Sequence, residues 1–226
     1  MKSSVCFHNG TLLTGLSVME RCAVLVKDGF IEDVFSEKRF LQKRFDSSVE
    51  IIDVDGSYIC PGFIDTHVHG FAGKGTEDND PDSIIEMSRE LAQYGVTAFN
   101  PTLYPSEPDN MIASIKAVVA AMGKENGARI MGLHLEGPFI SPERLGVQRP
   151  ETLSAVNMEF MDRLWEASEG HIVNMTVAPE LKGMRELALY SIKKGIVLQA
   201  GHTNASYENM LEGMQAGILH STHLFN

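Results

Sequence analysis

The chain has 226 residues, of which 43% are hydrophobic and 22% are charged, a composition typical of a globular protein and not of a disordered or repetitive one. Its formal net charge of −11, from 19 basic and 30 acidic residues, argues against nucleic acid as a partner. The three cysteines are scattered, and no apolar run approaches the ~20 residues of a membrane helix, so the sequence predicts a cytoplasmic protein with neither disulfides nor a membrane partner.

Residues 1–58 predict a small β-rich domain with a supporting role. Its apolar runs have the length of strands and are separated by turn signals; they lie at 5–7, 23–26, 30–35 and 50–54. The sequence Lys27-Asp28-Gly29 between two of these runs predicts a hairpin. Residues 37–45 are the helix candidate of this part of the chain.

Residues 59–226 alternate between helical and strand patterns. Helical stretches begin near 80, 106, 157, 187 and 205, and the apolar runs between them predict parallel strands with right-handed crossovers. This pattern fits either a doubly wound sheet or a barrel. Polar residues at the carboxyl ends of the predicted strands favour a (β/α)₈ TIM-like barrel; they are His67, His69, Asn100, Glu136, Glu180, His202 and His223.

The predicted barrel is incomplete. About six strands can be counted from Pro61 onward, whereas a closed barrel has eight strands in roughly 250 residues. The sequence also stops directly after a strand, which would leave an unprotected sheet edge. We therefore expect that the sequence is a fragment of a barrel truncated on its C-terminal side.

His67 and His69 follow a turn and a short apolar strand. Residues i and i+2 of a strand point to the same side, so both imidazoles can converge on one point. A metal ion is the usual reason for that arrangement, but two exposed histidines near a loop would have the same spacing. The spacing alone leaves both interpretations open.

Three further strand ends carry candidate ligands: Glu136, His202 and His223. Each has an ordinary explanation by itself, namely an exposed carboxylate, a residue at a helix start and a packed or loop histidine. Four histidines and one carboxylate at the ends of four strands together predict a two-ion site, in which Glu136 bridges ions that activate water and polarise a carbonyl. We expect His134 to support these ligands through hydrogen bonds, with an extra ligand as the alternative; His8, His171 and His220 lack supporting context.

These motifs resemble those of the metal-dependent amidohydrolase superfamily. Residues 61–65 with His67-x-His69 resemble the first barrel strand of that superfamily. Three more specific motifs, at 133–139, 201–203 and 222–226, are similar to those of the N-acetylglucosamine-6-phosphate deacetylase family. The resemblance covers the whole chain and implies that the N-terminal strands belong to a small β-sandwich.

The resemblance also implies roles for individual residues. Glu136, His202 and His223 would hold one divalent ion, zinc or iron, and His67 and His69 would add a second ion bridged by Glu136. Substrate contacts are implied for Phe225 and Asn226, and a further contact for Gln148 in the loop after the glutamate. Within the chain, Glu136 is the one catalytic residue implied, because the family's acid/base aspartate would lie beyond residue 226.

The activity implied is hydrolysis of N-acetylglucosamine 6-phosphate to glucosamine 6-phosphate and acetate, a step of amino-sugar catabolism. The full-length protein would be a homodimer that binds this phosphorylated amino sugar. One alternative is a dihydroorotase-like cyclic amidase, although the strand of Glu136 offers no lysine to be carboxylated between the ions. The other is a non-catalytic metal-binding fragment, if the polypeptide ends at Asn226.

Overall fold

A computed structural model describes residues 4–225, which form two compact units. The first unit ends at Gly62 and the second begins at Phe63. The domain limits of 1–58 and 59–226 that we drew from the sequence fall slightly earlier and stay a prediction. Within the described range, no helix is long and apolar enough to cross a membrane.

The first unit is a five-stranded mixed sheet. Its elements are β1 (Ser4–Leu13), β2 (Val18–Lys27), β3 (Phe30–Ser36), the short helix α1 (Glu37–Phe40), β4 (Val49–Asp53) and β5 (Tyr58–Ile59). The order is β3–β2–β1–β4, and β5 also pairs with β1. The predicted hairpin joins β2 to β3, where Asp28 and Gly29 both adopt positive φ, as a two-residue type I′ turn requires.

Helix α1 is shorter than the predicted helix at 37–45. Phe40 and Phe45 both pack against the buried cluster that contains Cys6 and Phe35. Residues five apart lie about 140° apart around a continuous helix, so both rings reach one cluster only if the helix ends between them. His8 belongs to the same unit, since its ring stacks on Phe40 and lies 2.9 Å from Glu37.

The second unit alternates strands and helices. Its elements in chain order are β6 (Phe63–Val68), β7 (Gly70–Phe71), β8 (Lys74–Gly75), α2 (Pro81–Ala92), β9 (Val96–Leu103), α3 (Pro108–Ala121), β10 (Arg129–Ile130), β11 (Leu133–Glu136), α4 (Met158–Ala167), β12 (Ile172–Val177), α5 (Met184–Lys194), β13 (Val197–Ala200), α6 (Tyr207–Gln215) and β14 (His220–Ser221). Side chains cap two helices that begin near predicted positions: Asp80 accepts from the N–H of Asp82, and Asn157 accepts from the N–H of Phe160.

The main sheet of this unit is parallel and curls into part of a barrel, which confirms the predicted α/β fold. Strand β9 pairs with β6 on one side and with β10 and β11 on the other, and β12, β13 and β14 follow in order. Because β10 and β11 are two halves of one barrel strand, the described residues of this unit supply six barrel strands. The helices bury apolar faces against the sheet; Ile84 and Met87 of α2, for example, are at most 1% exposed, each contributing about 1.5–3 kcal/mol.

Two strands differ from their predicted limits. Strand β9 continues past Asn100 to Leu103, so Asn100 lies within the strand and not at its end. Pro101 is tolerated there because it stands opposite Val68, where the pairing of β6 with β9 is irregular. The apolar run at 129–136, one of those that predict parallel strands, is divided into β10 and β11 next to Gly132, where a Cβ atom would lie 2.7 Å from the carbonyl oxygen of His171.

Candidate metal centre

Parallel strands bring the predicted ligands to one edge of the sheet. His67 lies in β6, His69 follows that strand, and Glu136 is the last residue of β11. His202 and His223 each lie two residues beyond their strands, β13 and β14. All these strands run in the same direction, so their carboxyl ends meet at the same edge. The structure therefore assembles all five side chains that the sequence singled out.

Glu136 is the centre of the cluster and is 2% exposed. Its Oε1 lies 2.7 Å from Nε2 of His223, 3.2 Å from Nε2 of His202 and 3.3 Å from Nε2 of His67. Its Oε2 lies 3.2 Å from Nε2 of His69. The side chains form two sets that could each hold a metal ion, with Glu136 common to both; they are His67–His69–Glu136 and Glu136–His202–His223.

Backbone carbonyls fix the orientation of two imidazoles. His69 donates its Nδ1–H to the carbonyl of Thr102 at 2.9 Å, and His202 donates its Nδ1–H to the carbonyl of Leu145 at 3.1 Å. A neutral ring that donates at Nδ1 presents a lone pair at Nε2. These lone pairs face the carboxylate oxygens of Glu136 at 3.2 Å, so acceptors face acceptors. A bound cation removes that repulsion, and the donor set therefore fits a divalent ion.

The protonation states agree with a cation site. Burial raises the pKa of the Glu136 carboxyl, but the interactions that the carboxylate makes with His202 and His69 when these rings carry a proton on Nε2 outweigh burial and hold that pKa well below its usual range. The hydrogen bond to Glu136 raises the pKa of His202, because a proton there relieves the same repulsion as a cation. Burial lowers the pKa of His67. An ionised carboxylate beside imidazoles is what metal binding requires.

His134 lies beneath the ligands and is fully buried. It donates Nδ1–H to the carbonyl of Thr66 at 3.1 Å, and its Nε2 accepts from the hydroxyl of Thr176 at 2.8 Å. The Thr176 hydroxyl also lies 2.8 Å from that of Thr222, the neighbour of His223. Both ring nitrogens are thus used within the protein. As predicted, His134 is a hydrogen-bonded support.

The ion-free protein should become less stable as the pH is lowered, because His134 is buried as a neutral ring. Burial lowers the pKa of His134 from 6.5 to about 4. A depressed histidine pKa gives stability that is fully present above about pH 6.5 and is lost as the pH falls toward 4, about 3 kcal/mol in all. We expect urea unfolding between these pH values to show this slope and the His134→Gln variant to have a smaller one. Equal slopes in the two proteins would contradict the buried neutral ring.

Gly201, directly before His202, has no room for a side chain. A Cβ atom there would lie 2.8 Å from Cγ2 of Thr176 and 2.8 Å from Cβ of Thr222. We expect Gly201→Ala to reduce the free energy of unfolding by about 1–3 kcal/mol and to lower the metal content, because Thr222 carries His223. The matched control is Gly75→Ala, whose new Cβ has its nearest neighbour at 3.6 Å. Denaturant unfolding of both variants tests the prediction, which fails if the two are equally stable.

The structure brings the predicted metal ligands together, but it does not test the predicted substrate contacts. Gln148 is 7% exposed and donates its Nε2–H to Oε2 of Glu136 at 2.8 Å, so its amide orients the carboxylate. Phe225 is 99% exposed, and Asn226 lies outside the described residues. Substrate contact by these three residues stays a prediction. His220, which the sequence analysis set aside, is exposed and belongs to neither ligand set.

Two residues near the site have roles that were not predicted from the sequence, namely Tyr104 and Glu180; Glu180 was predicted only to lie at a strand end. Tyr104 follows β9 and stacks on His69, and it lines a cavity of about 310 Å³ together with Gln148. Glu180 accepts from the Thr203 hydroxyl and from the N–H of Asn204 at 2.7 Å, and so holds the segment after His202. Their place in the sequence could have indicated these roles, since both residues come just after a barrel strand.

Comparison with known proteins places this site in a family. The sequence profile of the amidohydrolase family matches residues 58–226, which include every candidate ligand. The chain belongs to the amidohydrolase family. That assignment confirms the resemblance drawn from the histidine and glutamate motifs.

Three relatives of this amidohydrolase are N-acetylglucosamine-6-phosphate deacetylases. The Bacillus subtilis (strain 168) protein is 31% identical over 100% of this chain and 57% of its own length. The Rattus norvegicus protein is 34% identical over 97% of this chain and 54% of its own. The crystal structure of the Pasteurella multocida protein is 26% identical, with a TM-score of 0.88 over 99% of this chain and 57% of that one. The chain spans about half the length of the curated relatives it matches.

Proposed function

We propose that this amidohydrolase hydrolyses N-acetylglucosamine 6-phosphate to glucosamine 6-phosphate and acetate. The observation that carries the proposal is the buried Glu136 carboxylate, which has four imidazole nitrogens within 3.3 Å. The names of the relatives support this choice of substrate. Because the chain spans about half of their length, the activity of the relatives is proposed for this protein and is not assigned from the match alone.

The residues of the site have separate tasks in this proposal. A divalent ion, when bound, supplies a Lewis acid for the amide carbonyl and for the attacking water. Glu136 belongs to both ligand sets, and Gln148 fixes its rotamer with a hydrogen bond of 2.8 Å. We assign zinc or iron to the site, since imidazole and carboxylate ligands suit both.

Proton transfer needs a group other than Glu136. Within residues 4–225 the two ligand sets contain one carboxylate, and both of its oxygens face imidazoles. We therefore assign Glu136 to the ions and assign the acid/base role to a residue outside the two ligand sets. A homodimer and a cytoplasmic location are also predictions, which the mass in solution and cell fractionation would test.

Acetate release tests the proposed reaction. The natural gene product that carries residues 1–226 is incubated with N-acetylglucosamine 6-phosphate and, separately, with unphosphorylated N-acetylglucosamine. We expect faster acetate release from the phosphorylated sugar, loss of that activity after chelation, and recovery with zinc or iron. Ring opening of dihydroorotate without acetate release would favour a cyclic amidase. Bound metal without turnover of either compound would favour a non-catalytic protein.

A further inference from the structure

Tyr104 lies against the metal centre without being one of its ligands. It is the first residue after β9, so it stands at the edge of the sheet where the ligands meet. Its ring is parallel to the His69 imidazole within 3°, and the two ring centroids are 3.6 Å apart. Within residues 4–225, the other ring contacts of the four histidine ligands have interplanar angles of 60° or more. The parallel stack is therefore specific to His69.

His69 depends on this stack for its orientation. Its single hydrogen bond to the backbone, from Nδ1 to the carbonyl of Thr102 at 2.9 Å, fixes one point of the ring. Small coupled changes in χ1 and χ2 can keep that bond and still move Nε2 away from Glu136. A flat ring at van der Waals distance prevents it. The stack thus sets the direction of the Nε2 lone pair, which faces Oε2 of Glu136 at 3.2 Å.

A bound cation makes the contact more favourable. Coordination at Nε2 withdraws electrons from the imidazole, and the face of a phenol ring is electron-rich. The ring of Tyr104 therefore stabilises the ion-loaded form of His69 more than the ion-free form. No comparable ring lies flat on His202 or His223 in the described part of the chain. The effect should be confined to one of the two ligand sets.

We propose that Tyr104 is a positioning residue that sets the affinity of the His67–His69–Glu136 set for its ion. Tyr104 does not affect the ion affinity of the Glu136–His202–His223 set. This inference rests on the proposed two-ion centre. Removal of residues that orient metal ligands typically weakens metal affinity by about 10-fold to 100-fold. We expect a loss of that size for the second ion alone when the aromatic ring is removed.

The test measures metal stoichiometry and affinity in the natural gene product, by cobalt titration and elemental analysis. Tyr104→Leu removes the ring, Tyr104→Met does so with a longer side chain, and Tyr104→Phe keeps the ring without the hydroxyl. Tyr94→Leu is the matched control, because Tyr94 is a 71% exposed tyrosine of the same unit that packs on Phe71. Circular dichroism confirms that each variant is folded.

We expect two ions in the wild type, in Tyr104→Phe and in the control, and one tightly bound ion in the leucine and methionine variants. Wild-type affinity for both ions in either of those variants would overturn the role of Tyr104. Loss of the second ion from Tyr104→Phe would also overturn it, because the hydroxyl and not the stack would then be responsible. A wild type that holds only one ion would instead overturn the two-ion centre itself.

Discussion

Glu136→Gln should abolish both metal binding and acetate release. The amide is close in size to the carboxylate, but it is neutral, and its NH₂ would face imidazole nitrogens that now lie within 3.3 Å. Since the bound ion supplies several kcal/mol of transition-state stabilisation, we expect acetate release to fall by about 10³-fold or more. Elemental analysis should find neither ion bound, because Glu136 belongs to both ligand sets.

The matched control is Glu212→Gln, which makes the same chemical change at an exposed position of α6. It should keep wild-type metal content and activity. An active Glu136→Gln protein with both ions bound would mean that the carboxylate is not the common ligand, and the proposed centre would be wrong.

Loss of His202 should cost far more activity than loss of His67. The side chain of His202 is 9% exposed and is held by the carbonyl of Leu145, whereas the closest polar contacts of the His67 ring are to other members of the cluster. We expect His202→Asn to lose the ion of the Glu136–His202–His223 set and about 10³-fold in activity. We expect His67→Asn to keep that ion and to lose about 10-fold to 100-fold.

Metal analysis and acetate release from the two variants, with His171→Asn as an exposed histidine control, decide the matter. His67→Asn should retain one ion per chain and His202→Asn none of comparable affinity. If both variants lose both ions, the two sets act as one unit, and the independent binding of an ion by Glu136–His202–His223 would be incorrect.

Much of this site was predictable because it depends on strand ends. The alternation of helical and strand patterns predicts parallel strands, and parallel strands bring residues as distant as His67 and His223 to one edge. The motifs around Glu136 and His202 then identify which of the strand-end residues are ligands. The strand limits were less predictable: Asn100 lies within β9 because the irregular pairing opposite Pro101 lets the strand continue.

The supporting contacts could not be predicted from the sequence, because they depend on neighbours that are distant along the chain. The Thr176 hydroxyl lies between His134 of β11 and Thr222, which follows β14. Tyr104 is an ordinary aromatic residue after a strand until the structure places its ring against His69. The hydrogen bond from the amide of Gln148 to Glu136 joins two residues that lie 12 positions apart. Hydrophobic periodicity predicts the strands and helices, and the motifs predict the ligands, but neither predicts these side-chain contacts.

Anomalous diffraction from crystals of the metal-loaded gene product tests the two-ion centre most directly. Paired ions that share a bridging carboxylate typically lie about 3.5–4 Å apart. We predict two anomalous peaks at such a separation, with the Glu136 carboxylate between them, one near His67 and His69 and the other near His202 and His223. A single anomalous peak, or no peak within coordination distance of Glu136, would contradict the two-ion centre.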